Sequence, residues 1–144
     1  MNIETGVIHP ERFDAAGRTP DEDRNVALVK QAFEAFARTD FDFLYTKTIP
    51  DAEVGVAWLT PEKLGEHAEN LDFVPQTFNQ GMRFEIYTVV AEGDTVCVQW
   101  HDTARTSSGK IYENDGLSVF KFADDGRVRS YLEYIDLDKL VAAL

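Results

Sequence analysis

Two acidic side chains, Asp102 and Glu133, stand among apolar neighbours in segments that alternate like β-strands. In 95–104 one side of the strand carries Val96, Val98, Trp100 and Asp102, and the other carries Cys97, Gln99 and His101. In 128–136 Tyr131 and Glu133 share a side with Ile135, while Leu132 and Tyr134 share the opposite one. Between these segments, 111–122 places Tyr112, Asn114, Gly116, Ser118, Phe120 and Phe122 on one side. A sheet face that mixes hydroxyl, amide and carboxyl groups with apolar ones is expected to line a pocket. Two carboxyl groups in such a pocket have their pKa values driven apart, leaving one acid and one base. That pair suits proton abstraction, or activation of a water for attack on an epoxide or ester. A second reading stands beside it, with Asp102 at a solvated strand end and Glu133 paired to Arg105 or Arg129.

The remaining polar candidates support binding more than catalysis. His101 follows from the same alternation on the face opposite Asp102, so the two form no local dyad. His9, His67 and His101 have no metal-ligand spacing, and neither a metal nor another cofactor is expected. Ser118 lacks the Gly-x-Ser-x-Gly setting of a nucleophile and reads as a hydrogen-bonding pocket residue. Trp100, Tyr112, Asn114, Ser118 and Tyr131, with Phe33 and Trp58 from earlier in the chain, make up the candidate ligand-binding wall.

The elements that must position these residues follow from periodicity. Residues 1–18 carry Gly6, Pro10 and Gly17 without a sustained period and read as a flexible N-terminal arm. Thr19-Pro20-Asp21-Glu22 opens a helix with a capping box, running to Arg38, with Val26, Val29, Phe33 and Phe36 on its inner stripe. Asp40 is placed to cap a short helix over 41–47. Residues 52–58 read as a short strand. Pro61 opens a further helix whose inner stripe is Leu64, Ala68 and Leu71. Four strands follow, 82–91, 95–104, 111–122 and 128–136, joined at turns that each contain glycine, and 137–144 forms a short tail. Helices followed by an antiparallel meander predict an α+β fold. Its curved antiparallel sheet carries the N-terminal helices on the concave face, leaving a cone with an open mouth, all within one domain over 19–144. Leu117, Val119, Leu132 and Tyr134 leave the outer face apolar as well, so a homodimer through that face is expected.

Composition bounds the partners. The chain has 144 residues, 26 acidic against 14 basic, a net charge of −12 and one cysteine. The negative balance disfavours nucleic acid and anionic membrane surfaces. A lone Cys97 within Val96-Cys97-Val98 excludes an internal disulfide and reads as a buried, inert thiol. No signal segment opens the sequence and no apolar run is long enough to span a bilayer, so a cytoplasmic location is expected.

The stretches Gly109-Lys-x-Tyr112-x-Asn114, Val119-Phe-Lys-Phe, Asp125-Gly-Arg-Val and Tyr131-Leu-Glu-Tyr-Ile-Asp136 resemble the SnoaL-like branch of the nuclear transport factor two-like superfamily. Val96-Cys-Val-Gln-Trp100 and Arg38-Thr-Asp40 fit the same pattern, and the resemblance covers about residues 21–140. It implies a small-molecule pocket and, in an enzyme, cofactor-free carboxylate acid–base chemistry of the cyclase, isomerase or epoxide hydrolase type. Ketosteroid isomerases place their base and oxyanion Asp where this chain has Val56 and Ser118, and their Tyr near Ala32 or Phe33. The Asp–Arg–Asp set of limonene epoxide hydrolases corresponds to Asp102, Trp100 and Glu133, and its water-holding Tyr and Asn to Gly55 and Ala57. SnoaL-type polyketide cyclases need only the carboxylate in the cone. The reading is therefore a pocket for a small apolar or polyketide-like molecule, worked by Asp102 and Glu133. The rival class is a non-catalytic ligand-binding or protein-association module of the same fold.

Overall fold

The computed structural model describes residues 2–144. A six-stranded sheet runs β1(Gly6–Ile8), β3(Met82–Glu92), β4(Thr95–Arg105), β5(Ile111–Phe122), β6(Val128–Ile135) and β2(Thr48–Val56) in spatial order. The four central strands form the antiparallel meander expected from the alternation. Both edges depart from it, because β1 pairs parallel with β3 and β2 pairs parallel with β6. Register shifts near Tyr87 in β3 and between Lys121 and Phe122 in β5 mark irregularities of the kind that bend a sheet. The result is a curved, unclosed sheet in an α+β fold.

Helix α1(Pro20–Ala37) lies across the concave face. It starts where the sequence places it: the Thr19 side chain accepts from Glu22 N–H, and Glu22 Oε1 accepts from Thr19 N–H. Glu22 Oε2 also accepts from Gly93 N–H at 2.8 Å, which ties the helix start to the β3–β4 turn. These bonds hold the exposed Glu22 carboxyl below its ordinary range. The inner stripe Val26, Val29, Phe33 and Phe36 is buried against Ile86, Val96, Val98, Trp100 and Phe120.

Three elements differ from expectation. The leader is not a loose arm: β1 adds to the sheet edge, a 3₁₀ turn covers Pro10–Phe13, and Phe13 is 1% exposed against Phe33. Its anchors are the Phe13 ring, backbone pairing and the Arg12 guanidinium, which donates to Ile86 O at 2.8 Å, and none of these creates a period in sequence. The helix from Pro61 ends after one turn, α3(Pro61–Leu64), because Gly65 adopts a positive φ of 57°. A 3₁₀ turn and α4(Phe73–Thr77) follow, and Leu71, assigned to an inner stripe, is 92% exposed. The short helix α2(Asp42–Tyr45) has Phe41, not Asp40, at its N-cap and no side-chain cap. The tail forms α5(Leu137–Ala143), capped by Asp136, and buries Leu140 and Ala143. Among the described residues no helix is long and apolar enough to cross a membrane.

Candidate functional site

On β5 exposure alternates residue by residue, and every inward position from Tyr112 to Phe122 is buried. On β4 the inward set Val96, Val98, Trp100, Asp102 and Ala104 is buried likewise. This period of two carries polar groups to the concave face, where helices and loops close over them. A cavity of about 650 Å³ opens between that face and the segments 41–45, 59–64 and 71–78. Its size falls within the range of small-molecule pockets. Asp102, Glu133, Trp100, Tyr112, Tyr131 and Met82 form its sheet wall; Phe36, Leu44, Leu59, Val74 and Phe78 form much of the opposing apolar wall.

Asp102 is 4% exposed, and its Oδ1 has no hydrogen-bond partner among the described residues. Burial, then the facing charge of Glu133, raises its pKa well above the usual carboxylate value. Glu133 pairs in register with Ser118 on β5, and its Oε2 accepts from the Tyr131 hydroxyl at 2.5 Å. Burial raises the Glu133 pKa as well, while the Tyr131 bond acts against that rise by favouring the anion. Tyr131 is pushed well up by burial and then by the charge of Glu133, so it remains a neutral donor. A solvated Asp102 and a Glu133–Arg129 pair are not what the fold contains. Asp102 is buried deep in the sheet, and Arg129 bonds Asp94 at 2.8 Å instead.

The other expected residues divide. Ser118 accepts from Trp100 Nε1–H at 2.9 Å and lies behind the wall, fully buried. Asn114 also lies behind it. Its Oδ1 accepts from Asp136 N–H at 3.2 Å, while its Nδ2 donates to Asp136 O at 3.0 Å and to the Tyr112 hydroxyl at 2.8 Å. Phe33 fills the core between Phe13, Phe84, Trp100 and Phe120, and Phe36, one turn later, takes the cavity position. Trp58 lies outside: β2 ends at Val56, the backbone turns left-handed at Trp58 (φ 62°), and the indole is 74% exposed against Tyr134. His101 faces away from Asp102, as alternation requires, with Nδ1 2.8 Å from Asp115 Oδ1. Cys97 shares that outer face, half-buried rather than enclosed in the core.

Much of the apolar wall was not among the expected residues. Leu59, Val74 and Phe78 come from short turns with no period, so nothing in sequence marks them as pocket-facing. Phe36 and Leu64 had a signal, their places on expected helical stripes.

A curved, unclosed sheet with helices on its concave side fits the cone-like fold of nuclear transport factor two-like proteins. Within it, the chain belongs to the SnoaL-like family, whose SnoaL-like domain model matches residues 29–131. Among solved structures it is similar to a protein of Jannaschia sp. CCS1 assigned as a SnoaL-like polyketide cyclase. That match has 20% identity and a TM-score of 0.68, over 90% of this chain and 96% of that one. An NTF2-like protein of unknown function from Burkholderia pseudomallei K96243 is similar at 20% identity and a TM-score of 0.66, over 83% and 96%. An LEH-like epoxide hydrolase of M. tuberculosis is similar at 17% identity and a TM-score of 0.62, over 87% and 92%. Comparison with curated proteins gives no match.

Proposed function

We propose that the protein is a cofactor-independent enzyme performing acid–base chemistry on a small apolar or polyketide-like molecule in this cavity. The observation that carries the reading is the pair of carboxyl groups in one apolar cavity, Asp102 without a partner on Oδ1 and Glu133 held by Tyr131. Asp102, with no donor to its Oδ1, serves as the acid; Glu133, whose anion Tyr131 supports, serves as base. In the proposed step Glu133 takes a proton from a carbon next to a carbonyl. The C–H electron pair moves into the enolate, and Asp102 donates to the developing oxygen. Return of the proton from Glu133 at another position gives isomerisation; attack of the enolate carbon on a second carbonyl closes a ring, and the Glu133 proton passes to the alkoxide so formed.

The fold relatives, named as a polyketide cyclase and an epoxide hydrolase, support carboxylate chemistry as the class. The test is exchange of the benzylic protons of deoxybenzoin, a cofactor-free C–H acid, with deuterium in D2O, followed by NMR. Wild-type protein should accelerate exchange, and Glu133→Gln should lower the rate about 100-fold, the usual scale of a general base. Exchange unaffected by both Glu133→Gln and Asp102→Asn would leave a binding module rather than an enzyme. The same reading includes a homodimer, supported by the outer face where Val90, Leu117 and Tyr87 are exposed beside Cys97 and Tyr134.

A further inference from the structure

The bond between Trp100 and Ser118 has a direction. An indole N–H donates and cannot accept, so Ser118 Oγ is the acceptor over 2.9 Å, and the serine's own hydrogen must point elsewhere. Ser118 is fully buried, so that hydrogen needs an acceptor within the protein. Its cross-strand neighbour is Glu133, and the next residue on that face of β6 is Tyr131. The Tyr131 proton is committed to Glu133 Oε2, which leaves the tyrosine oxygen open to accept. Burial and then the charge of Glu133 push the Tyr131 hydroxyl up, whereas Ser118 acts in the opposite sense, as a hydroxyl donating to the tyrosine oxygen does.

The three hydrogens therefore point one way, from Trp100 through Ser118 and Tyr131 to the carboxyl of Glu133. Each donor is polarised by the one behind it, so the last bond is stronger than that of an isolated tyrosine. The indole fixes the sense, because it offers no acceptor were the chain to reverse. The other titratable groups facing Glu133 are Asp102 on β4 and Tyr112 on β5. β2 brings Val56, α1 brings Phe36 and α5 brings Leu140. Asp42 of α2 and Asp72 ahead of α4 complete the acids of the lining, and no Lys, Arg or His is among the lining residues. With no cation beside it, the Glu133 anion depends on this chain of hydrogen bonds.

We propose that Ser118 is a positioning residue for the base, with Trp100 as its anchor: the one-way chain Trp100–Ser118–Tyr131–Glu133 presents Glu133 to the cavity as a carboxylate. This rests on the acid–base reading above and adds what sets the strength of its base. Ser118 is not among the cavity-lining residues, so it acts through Tyr131 rather than on a ligand.

The test is an NMR titration of Glu133, which needs no turnover, in protein labelled with ¹³C at the glutamate carboxyls. The protein carries Asp102→Asn so that Glu133 titrates without its neighbour, and Glu133→Gln assigns the signal. Tyr131→Phe should raise the Glu133 midpoint by roughly 1 pH unit or more, the scale of a hydrogen bond to a charge. Ser118→Ala should raise it by roughly 0.3 unit, the scale on which one bond strengthens the next. Ser118→Thr, which keeps the hydroxyl, should leave it in place. Should Ser118→Ala fail to fold, Ser118→Cys, which keeps only a weak donor, should move the midpoint in the same direction. In the deoxybenzoin assay with Asp102 intact, the acidic limb of the exchange rate should move to higher pH by the same amount. A purely structural role would lower the rate at every pH alike. The proposal is overturned by a midpoint that Tyr131→Phe moves and the Ser118 variants do not, or by one that none of them moves. A shifted midpoint without any deuterium exchange would sink the enzymatic reading while leaving the hydrogen-bond chain standing; exchange with an unmoved midpoint would do the reverse.

Discussion

Asp102 makes the stability of the protein depend on pH in a particular direction. Its folded-state pKa lies above the ordinary carboxyl value of about 4, so the native chain holds a proton that the unfolded chain releases. The stabilisation is complete below that ordinary value and is lost as pH rises through the window up to the folded pKa. Asp102→Asn keeps the shape and cannot ionise. Urea unfolding between pH 5 and 8 should show wild type losing stability relative to this variant, by at most about 1.4 kcal/mol per pH unit. A difference that stays constant with pH would mean that Asp102 is not shifted. Both carboxyl groups were legible because a strand's period of two places each side chain without knowledge of the third dimension. Asn114 and Ser118 were legible as inward-facing, but which inward groups reach the cavity and which lie behind its wall depends on how Trp100 and Tyr112 pack. Trp58 was misread because a backbone reversal after β2 leaves no mark in residue type.

Strand β5 works as the site's backing plate because of one missing side chain. Gly116 faces inward beneath the Trp100 ring, and a Cβ there would stand 2.2 Å from the indole. With an ordinary residue at 116 the ring would have to leave, and with it the bond to Ser118. Gly116→Ala should therefore cost about 1–3 kcal/mol in unfolding free energy, the usual scale of overpacking. It should also shift the Trp100 indole N–H proton in NMR spectra; an unmoved resonance and unchanged stability would show that the wall can relax. The meander and α1 were legible because alternation, turn glycines and a capping box all agree locally. The parallel edge strands were not. Pairing of β1 with β3 spans more than 70 positions, as in Gly6 with Arg83, and is decided by which sheet edge the folded chain leaves open. The α3–α4 segment failed for the opposite reason: its apolar residues mimic a helical stripe, but Gly65 ends the helix.

Viewed entire, the molecule has one apolar sheet face, one polar face with an apolar patch, and one set of helices. The concave side is filled by α1 and the cavity. The convex side keeps Val90 and Leu117 in solvent, 54% and 41% exposed. A second copy over that side would explain why an acidic, otherwise polar surface retains such a patch. Leu117→Glu should lower the sedimentation mass from dimer to monomer while leaving the cavity's ligand affinity unchanged. A wild-type mass already equal to one chain would dismiss the assembly.

The two tryptophans of the chain end up in opposite surroundings. Trp58 rests in water against Tyr134, and Trp100 is sealed beside the cavity with its N–H on Ser118. An excited indole relaxes towards longer wavelengths only where water can reorient around it. The protein should thus emit in two colours, with only the bluer ring bordering the cavity. Iodide in solvent quenches one ring, and a molecule entering the cone perturbs the other, so occupancy can be followed optically without any label.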